Sequence, residues 1–292
     1  MSSLSKWKLL ALLSFLPLAS LIGGILWERN AVILLPAPPT GSAPTISLHA
    51  YAHDPWDRLL HRFVDESGSV SYADWKGSAA DQQSLDQYLF DAGSVSFDQD
   101  ATRTDELCFW INIYNALTIK GILLEYPTDS ILDHVRSVGY NIWKDLRLYV
   151  DGRYVSLDDI EHQILRKMNE PRIHFAIVCA SAGCPRLRNE AYIPQRLDEQ
   201  LSDNARQFFS RGNSLQISED GTTIYLSSIL KWFGRDFGPD DASMLTRIMP
   251  FLPERATGLV TASPPPHIQF LDYDWSLNDR QQKRTPSPSS AR

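Results

Sequence analysis

Residues 104–125, TDELCFWINIYNALTIKGILLE, restrict the fold more than any other part of the chain. At 3.6 residues per turn the apolar side chains of this segment fall on nearly every side of a helix. A helix that is apolar all round must be surrounded by protein or lipid, and this one predicts a central, buried helix. Thr104 and Asp105 are its candidate caps, and Tyr126-Pro127 stops it. Cys108, Asn112 and Asn115 share one face at i, i+4 and i+7. Buried amides need hydrogen-bond partners, so the two asparagines either pin neighbouring loops or line a site.

The remaining segments arrange themselves around that helix. Residues 55–65 and 84–90 read as helices, with Pro55 suited to a first turn. Residues 146–150 and 154–156, joined by Asp151-Gly152, form a hairpin, and 215–218 with 222–226 form a second. A helix follows from Leu157 to Met168, with Ser156 as its cap. Residues 172–179, RIHFAIVC, read as a short buried strand, 194–210 as an amphipathic helix, 228–233 and 241–251 as shorter helices, and 268–273 as a last strand. The expected class is α+β: a mostly helical single domain around a small, mainly antiparallel sheet.

The ends of the chain look different. Lys6 and Lys8 precede an uncharged apolar run, residues 9–27, long enough to cross a ~30 Å hydrocarbon core. The run exceeds a usual signal-peptide h-region, and Pro17 and Leu18 sit where a cleavage site before residue 20 or 21 would want a small residue. Residues 1–29 are therefore expected to be an uncleaved membrane anchor, the alternative being a cleaved signal and a secreted protein. The basic start leaves the N-terminus in the cytoplasm and the main domain on the extracytoplasmic side. Residues 30–46 contain Pro36, Pro38, Pro39 and Pro44 and read as a semi-extended spacer. The main domain is then 47–278, followed by a polar, Pro/Ser-rich tail over 279–292, expected to be disordered. The net charge of −7 argues against a nucleic-acid partner. The sequence names no cofactor.

Chemistry-bearing residues cluster in two places. In the helix 157–168, Glu161 falls within the apolar stripe of Leu157, Ile160, Ile164, Leu165 and Met168. A carboxylate there is expected to be buried and paired, with His162 and Arg166 as neighbours; it fits a structural ion pair, a tuned acid/base group or a metal ligand. On an extended 172–179, His174 and Cys179 point to opposite faces. The chain then enters ASAGCPRL, a small-residue loop in which Cys184 could be a functional thiol or could bridge to Cys179.

Taken together, FWINIYNALTIKGIL, YVSLDDIEHQILR, PRIHFAIVCASAGCPRL and FLDYDWSLN resemble the family catalogued as domain of unknown function 547, over roughly residues 55–278. The residues on its motifs are Asn112, Asn115, Glu161, His162, Arg166, His174, Cys179, Cys184, Pro185, Asp272, Asp274 and Trp275; Cys108 lies outside them. The resemblance implies no particular reaction. Its occurrence in exported bacterial proteins agrees with the expected location.

Three functions compete on these residues. The first is a membrane-tethered, extracytoplasmic thiol hydrolase or transferase. Cys184 would be its nucleophile and His162 or His174 its base, oriented by Glu161 or Asn115. The second is a non-catalytic envelope module that binds a partner. The third is a metal site made of Glu161, His162, His174 and a cysteine.

Overall fold

The computed structural model describes residues 32–39, 46–97, 100–135 and 141–281. The expected membrane anchor over residues 1–29 lies outside these, as do most of the spacer beyond residue 39 and the tail from residue 282.

Helices α1 (Asp54–Phe63), α2 (Tyr72–Gly77) and α3 (Ala79–Ala92) precede the central helix α4 (Arg103–Glu125). Pro55 sits in the first turn of α1, where its missing N–H costs nothing. The cap of α4 is Thr102 rather than Thr104: its hydroxyl accepts the Asp105 N–H at 3.2 Å, and the Asp105 carboxylate accepts the Thr102 N–H at 2.9 Å. This capping box closes two otherwise orphaned donors. Tyr126 ends the helix as expected. Long and apolar enough to span a membrane, α4 is instead packed inside the domain, with Phe109, Ile111, Ile113, Ala116, Leu117 and Ile119 fully buried. Its stability therefore comes from tertiary packing rather than helix propensity.

The sequence predicts one small, mainly antiparallel sheet; the strands instead form three small sheets that mix parallel and antiparallel pairs. β1 (Ile33–Leu34) runs parallel to β4 (Leu146–Val150), which pairs antiparallel with β5 (Arg153–Ser156). β2 (Ile46–Ser47) pairs parallel with β3 (Val95–Ser96). β6 (Leu215–Ile217) pairs antiparallel with β7 (Thr223–Ser227), which runs parallel to β8 (His267–Leu271). Both expected hairpins form; in the first, Asp151 and Gly152 both take positive φ, as a tight hairpin turn of matching twist requires. The parallel pairings arise across long crossovers that local periodicity does not reveal.

Two further expectations change at the ends of the domain. Part of the proline-rich spacer is docked: Leu35 is buried and donates its N–H to Arg147 O at 2.9 Å. Residues 279 and 280, within the expected tail, pack on the domain. Asp279 is buried and accepts the Tyr126 hydroxyl at 2.9 Å, and the Arg280 N–H bonds Val70 O at 2.9 Å.

The segment 157–168 is helical but changes pitch. Ser156 caps an α-turn over Leu157–Asp159, the chain widens to a π-turn over Ile160–Ile164, and it tightens to a 3-10 turn over Leu165–Met168. A π-turn rotates every later side chain off the α-helical wheel. The expected strand 172–179 does not form. Pro171 opens a 3-10 turn over Pro171–Phe175, capped by the Glu170 carboxylate, and residues 176–179 continue as irregular chain. A short apolar run cannot by itself separate a buried strand from other buried backbone.

The core falls into two hydrophobic clusters. One surrounds α4. The other gathers Phe175 with α5 (Leu197–Phe209), strands β6 to β8, α6 (Ser228–Phe237), α7 (Asp241–Ile248) and α8 (Glu254–Val260).

Candidate active site

The start of the loop 176–185 is held by a side chain acting in place of a neighbouring strand, and residues 180–183 pair with the backbone of 274–278. From the middle of α4, the Asn115 amide donates to Ala176 O at 3.0 Å and its oxygen accepts the Val178 N–H at 3.0 Å. Asn112 does the same for Tyr192, donating at 2.8 Å and accepting at 3.0 Å. Both asparagines are therefore loop pins; Asn115 stands behind the loop, its amide donating to and accepting from the loop backbone.

Beyond Val178 the chain turns sharply at Ala180, whose φ of 61° is uncommon for a residue with a side chain. Gly183 then passes so close to the last described segment that a Cβ there would lie 2.9 Å from Asp274 O. Its N–H donates to that oxygen at 2.8 Å. Arg211 clamps the loop from α5's side, donating to Cys184 O and Ala182 O at 2.7 Å each.

This geometry brings two thiols and a phenol together. Cys179 and Cys184 are not bridged. Cys184 Sγ accepts the Cys179 backbone N–H at 2.9 Å and the Tyr273 hydroxyl at 3.1 Å. Cys179 Sγ lies 3.3 Å from the same hydroxyl and 3.1 Å from that of Ser181. Burial opposes a thiolate at Cys184, but hydrogen bonds from Cys179, Tyr273 and Ser181 outweigh it and lower the thiol to about 6. The Cys179 thiol is pushed up, first by its hydrogen bond to Cys184 and then by burial. Burial likewise raises Tyr273, so the phenol remains a donor. Cys108, pushed up to about 12 by burial, is a packing residue.

Across from the thiols, His174 Nε2 donates to Asp236 Oδ2 at 2.7 Å and stacks on Phe233 with ring centroids 4.4 Å apart. Arg166 grips Asp236 with both Nε (2.6 Å) and Nη2 (2.8 Å) and donates from Nη1 to His162 Nδ1 at 3.2 Å. Burial disfavours the Asp236 carboxylate, but Arg166 and His174 hold it well below the usual carboxylate range. Glu161 is half-buried rather than buried, as are Ile164 and Met168 of the same stripe; it is paired as expected, its donor being the Tyr114 hydroxyl at 3.1 Å.

Cys184, Cys179, His162, His174 and Glu161 all line one cavity of about 260 Å³. The expectation that His174 and Cys179 diverge thus fails together with the strand that implied it. The cavity is walled by Trp143, Trp232, Phe233, Tyr273 and Trp275, and lies between the two core clusters. Among the described residues, no three His, Cys, Asp or Glu side chains are grouped to hold one metal ion, so the metal set read from the sequence is not assembled. Asp236, Tyr273, Tyr114 and Arg211 were not singled out by sequence reasoning. Tyr273 lay within the string FLDYDWSLN; Asp236 had only its position on a largely apolar helix to mark it.

Residues 99–209 match the family model described as Protein of unknown function, DUF547. The resemblance seen in the sequence motifs thus holds over this stretch. The DUF547 segment contains both asparagine pins, the pitch-changing helix, His174 and both loop cysteines, whereas Asp236, Tyr273 and Trp275 lie beyond it. No curated protein and no solved structure matches the chain.

Proposed function

We propose that the protein is a cysteine-dependent hydrolase or transferase, held to a membrane by residues 1–29 with its main domain on the extracytoplasmic side. One observation carries the catalytic reading: a thiol favoured as thiolate and a carboxylate-oriented histidine line the same aromatic-walled cavity. Cys184 is the nucleophile. His174, with Nε2–H committed to Asp236, keeps Nδ1 to accept a proton, which is the tautomer a general base needs. His162 suits that role less, because its Nδ1 already accepts from Arg166. Asp236 takes the orienting part first assigned to Glu161 or Asn115.

The chemistry follows from those roles. His174 Nδ1 takes the proton given up by the Cys184 thiol, the sulfur attacks an acyl carbon, and a thioester forms as the bond to the leaving group breaks and His174 returns that proton to it. In the second half His174 removes a proton from the acceptor: water in a hydrolase, an amine or alcohol in a transferase. No hydrogen bond joins Cys184 to either histidine among the described residues; the cavity has volume for an acyl group between them.

The test uses p-nitrophenyl acetate as a generic acyl donor, followed by peptide mapping. An acetyl group on Cys184, with release slowed about 10²–10⁴-fold by His174→Ala, is the expected result. Acetylation of surface lysines alone would favour the binding-module reading, to which the aromatic wall is suited.

A further inference from the structure

We infer that Cys179 and Cys184 form a reversible oxidation latch, in which a peroxide closes the pair as a disulfide and a thiol reductant reopens it. The inference rests on the proposed thiol function of Cys184 and adds its regulation.

Three observations support it. Both sulfurs lie against one hydroxyl, Tyr273 Oη, at 3.1 and 3.3 Å, so they cannot be further apart than the sum of those distances. Only four residues separate the two cysteines along the loop, and Cys184 Sγ already accepts the Cys179 backbone N–H at 2.9 Å. The loop between them, Ala180 to Gly183, contains only small side chains, and its backbone bends at the positive φ of Ala180. Little motion is needed to bring the sulfurs into bonding distance. The cavity they line admits a molecule as small as hydrogen peroxide.

The electron count closes with peroxide as the oxidant. The Cys184 thiolate attacks one peroxide oxygen; the O–O bond breaks, the departing hydroxide takes up a proton to become water, and Cys184 becomes a sulfenic acid. Cys179 then loses its proton and its sulfur attacks that of Cys184. The S–O bond breaks, and the displaced hydroxide leaves as a second water. Two thiols and one peroxide give one disulfide and two waters. A dithiol reductant reverses the closure through a mixed disulfide and is itself oxidised. The two thiols divide the work as such a pair requires. Cys184 is the better thiolate and meets the oxidant; Cys179 stays protonated until the sulfenic acid has formed. Tyr273 touches both and is placed to pass the proton between them.

The experiment uses the full chain, reduced and freed of reductant, in three steps. The rate of native iodoacetamide modification is first mapped at Cys184, Cys179 and Cys108. One equivalent of hydrogen peroxide is then added to a separate, unalkylated portion, and peptides are mapped for a Cys179–Cys184 bridge. Dithiothreitol is finally added to the folded protein and the first rate measured again. The expected result is fast modification of Cys184, its loss on closure of the bridge, and recovery of the original rate. In Cys179→Ser, peroxide should leave a dimedone-reactive sulfenic acid on Cys184 and no bridge. If Cys184 in the reduced protein reacts no faster than Cys108, the thiol-enzyme reading fails. If Cys184 reacts fast but peroxide yields no bridge, or the bridge resists reductant in the folded protein, the latch is refuted and the thiol reading stands.

Discussion

At Cys184 the opposing effects can be ranked. Burial alone would raise the thiol, as it does at Cys108, and Cys184 is only 4% exposed. What reverses the outcome is the set of donors facing the sulfur: Tyr273 Oη–H and the Cys179 N–H act on the charged form, and an acceptor as large as a thiolate takes several at once. A thiol with a lowered pKa is charged above that pKa and loses its charge as the pH falls through it. The Cys184 thiolate should therefore persist to lower pH than that of an ordinary thiol, and be lost as the pH falls through its lowered pKa. Tyr273→Phe removes a donor while keeping the ring, so the window must move upward. Native alkylation of Cys184 at pH 7 should slow by about twofold as the thiol rises to the assay pH and by up to about tenfold for each unit beyond it, and its midpoint should move toward the ordinary thiol range. A pH–rate profile of the variant that superimposes on the wild type would remove Tyr273 from this role.

Elements whose instructions are local were legible in the sequence, and those fixed by distant partners were not. The hairpin 146–156 is written into its Asp-Gly turn, and α4 into its all-round apolar surface and the proline after it. The strand expected at 172–179 failed because nothing in RIHFAIVC says what its backbone will pair with; the answer lies on α4, in Asn115. The change of pitch within 157–168 was hidden for a related reason, since a π-turn is invisible to a wheel drawn at a fixed angle. The candidate site was half legible: the cysteines and histidines are rare residues in distinctive strings, whereas Asp236 is one carboxylate among many until Arg166 and His174 are seen to converge on it. Asn115 offers the sharpest check of this account. Asn115→Ala leaves a buried carbonyl and a buried N–H without partners, each costing about 1–3 kcal/mol, so unfolding stability should fall by roughly 3 kcal/mol. Amide exchange at Val178 should accelerate more than exchange within α4. Uniform acceleration across both would mean that the asparagine supports the core in general and does not hold the loop.

At the scale of the molecule, the cavity lies on a seam. The Cys184 loop and Ile177 belong to the cluster around α4, Ile229 and Phe233 to the cluster around Phe175, and Tyr273 packs on both. Arg166 and Asp236 fasten the two sides with a bidentate ion pair. Such seams favour ligand sites because neither core fills them. The same molecular view changes what the proposed anchor does. The proline-rich stretch was expected to lift the domain away from the bilayer, but Ile33 is already paired with Leu146 and Leu35 is buried. If residues 9–27 cross the membrane, only residues 28–32 separate that span from the docked strand β1, at most about 18 Å of extended chain. The domain would then rest against the bilayer with its β4–β5 hairpin on the near side. The expected outcome is that the chain stays with the membrane fraction through a high-salt wash, and that its mature N-terminus precedes residue 19. Lipid-borne photo-crosslinkers should label the hairpin 146–156 ahead of the distant parts of the surface. A mature N-terminus between residues 19 and 31 would show a secreted domain instead, leave the cavity chemistry untouched, and make any membrane contact a property of the folded surface.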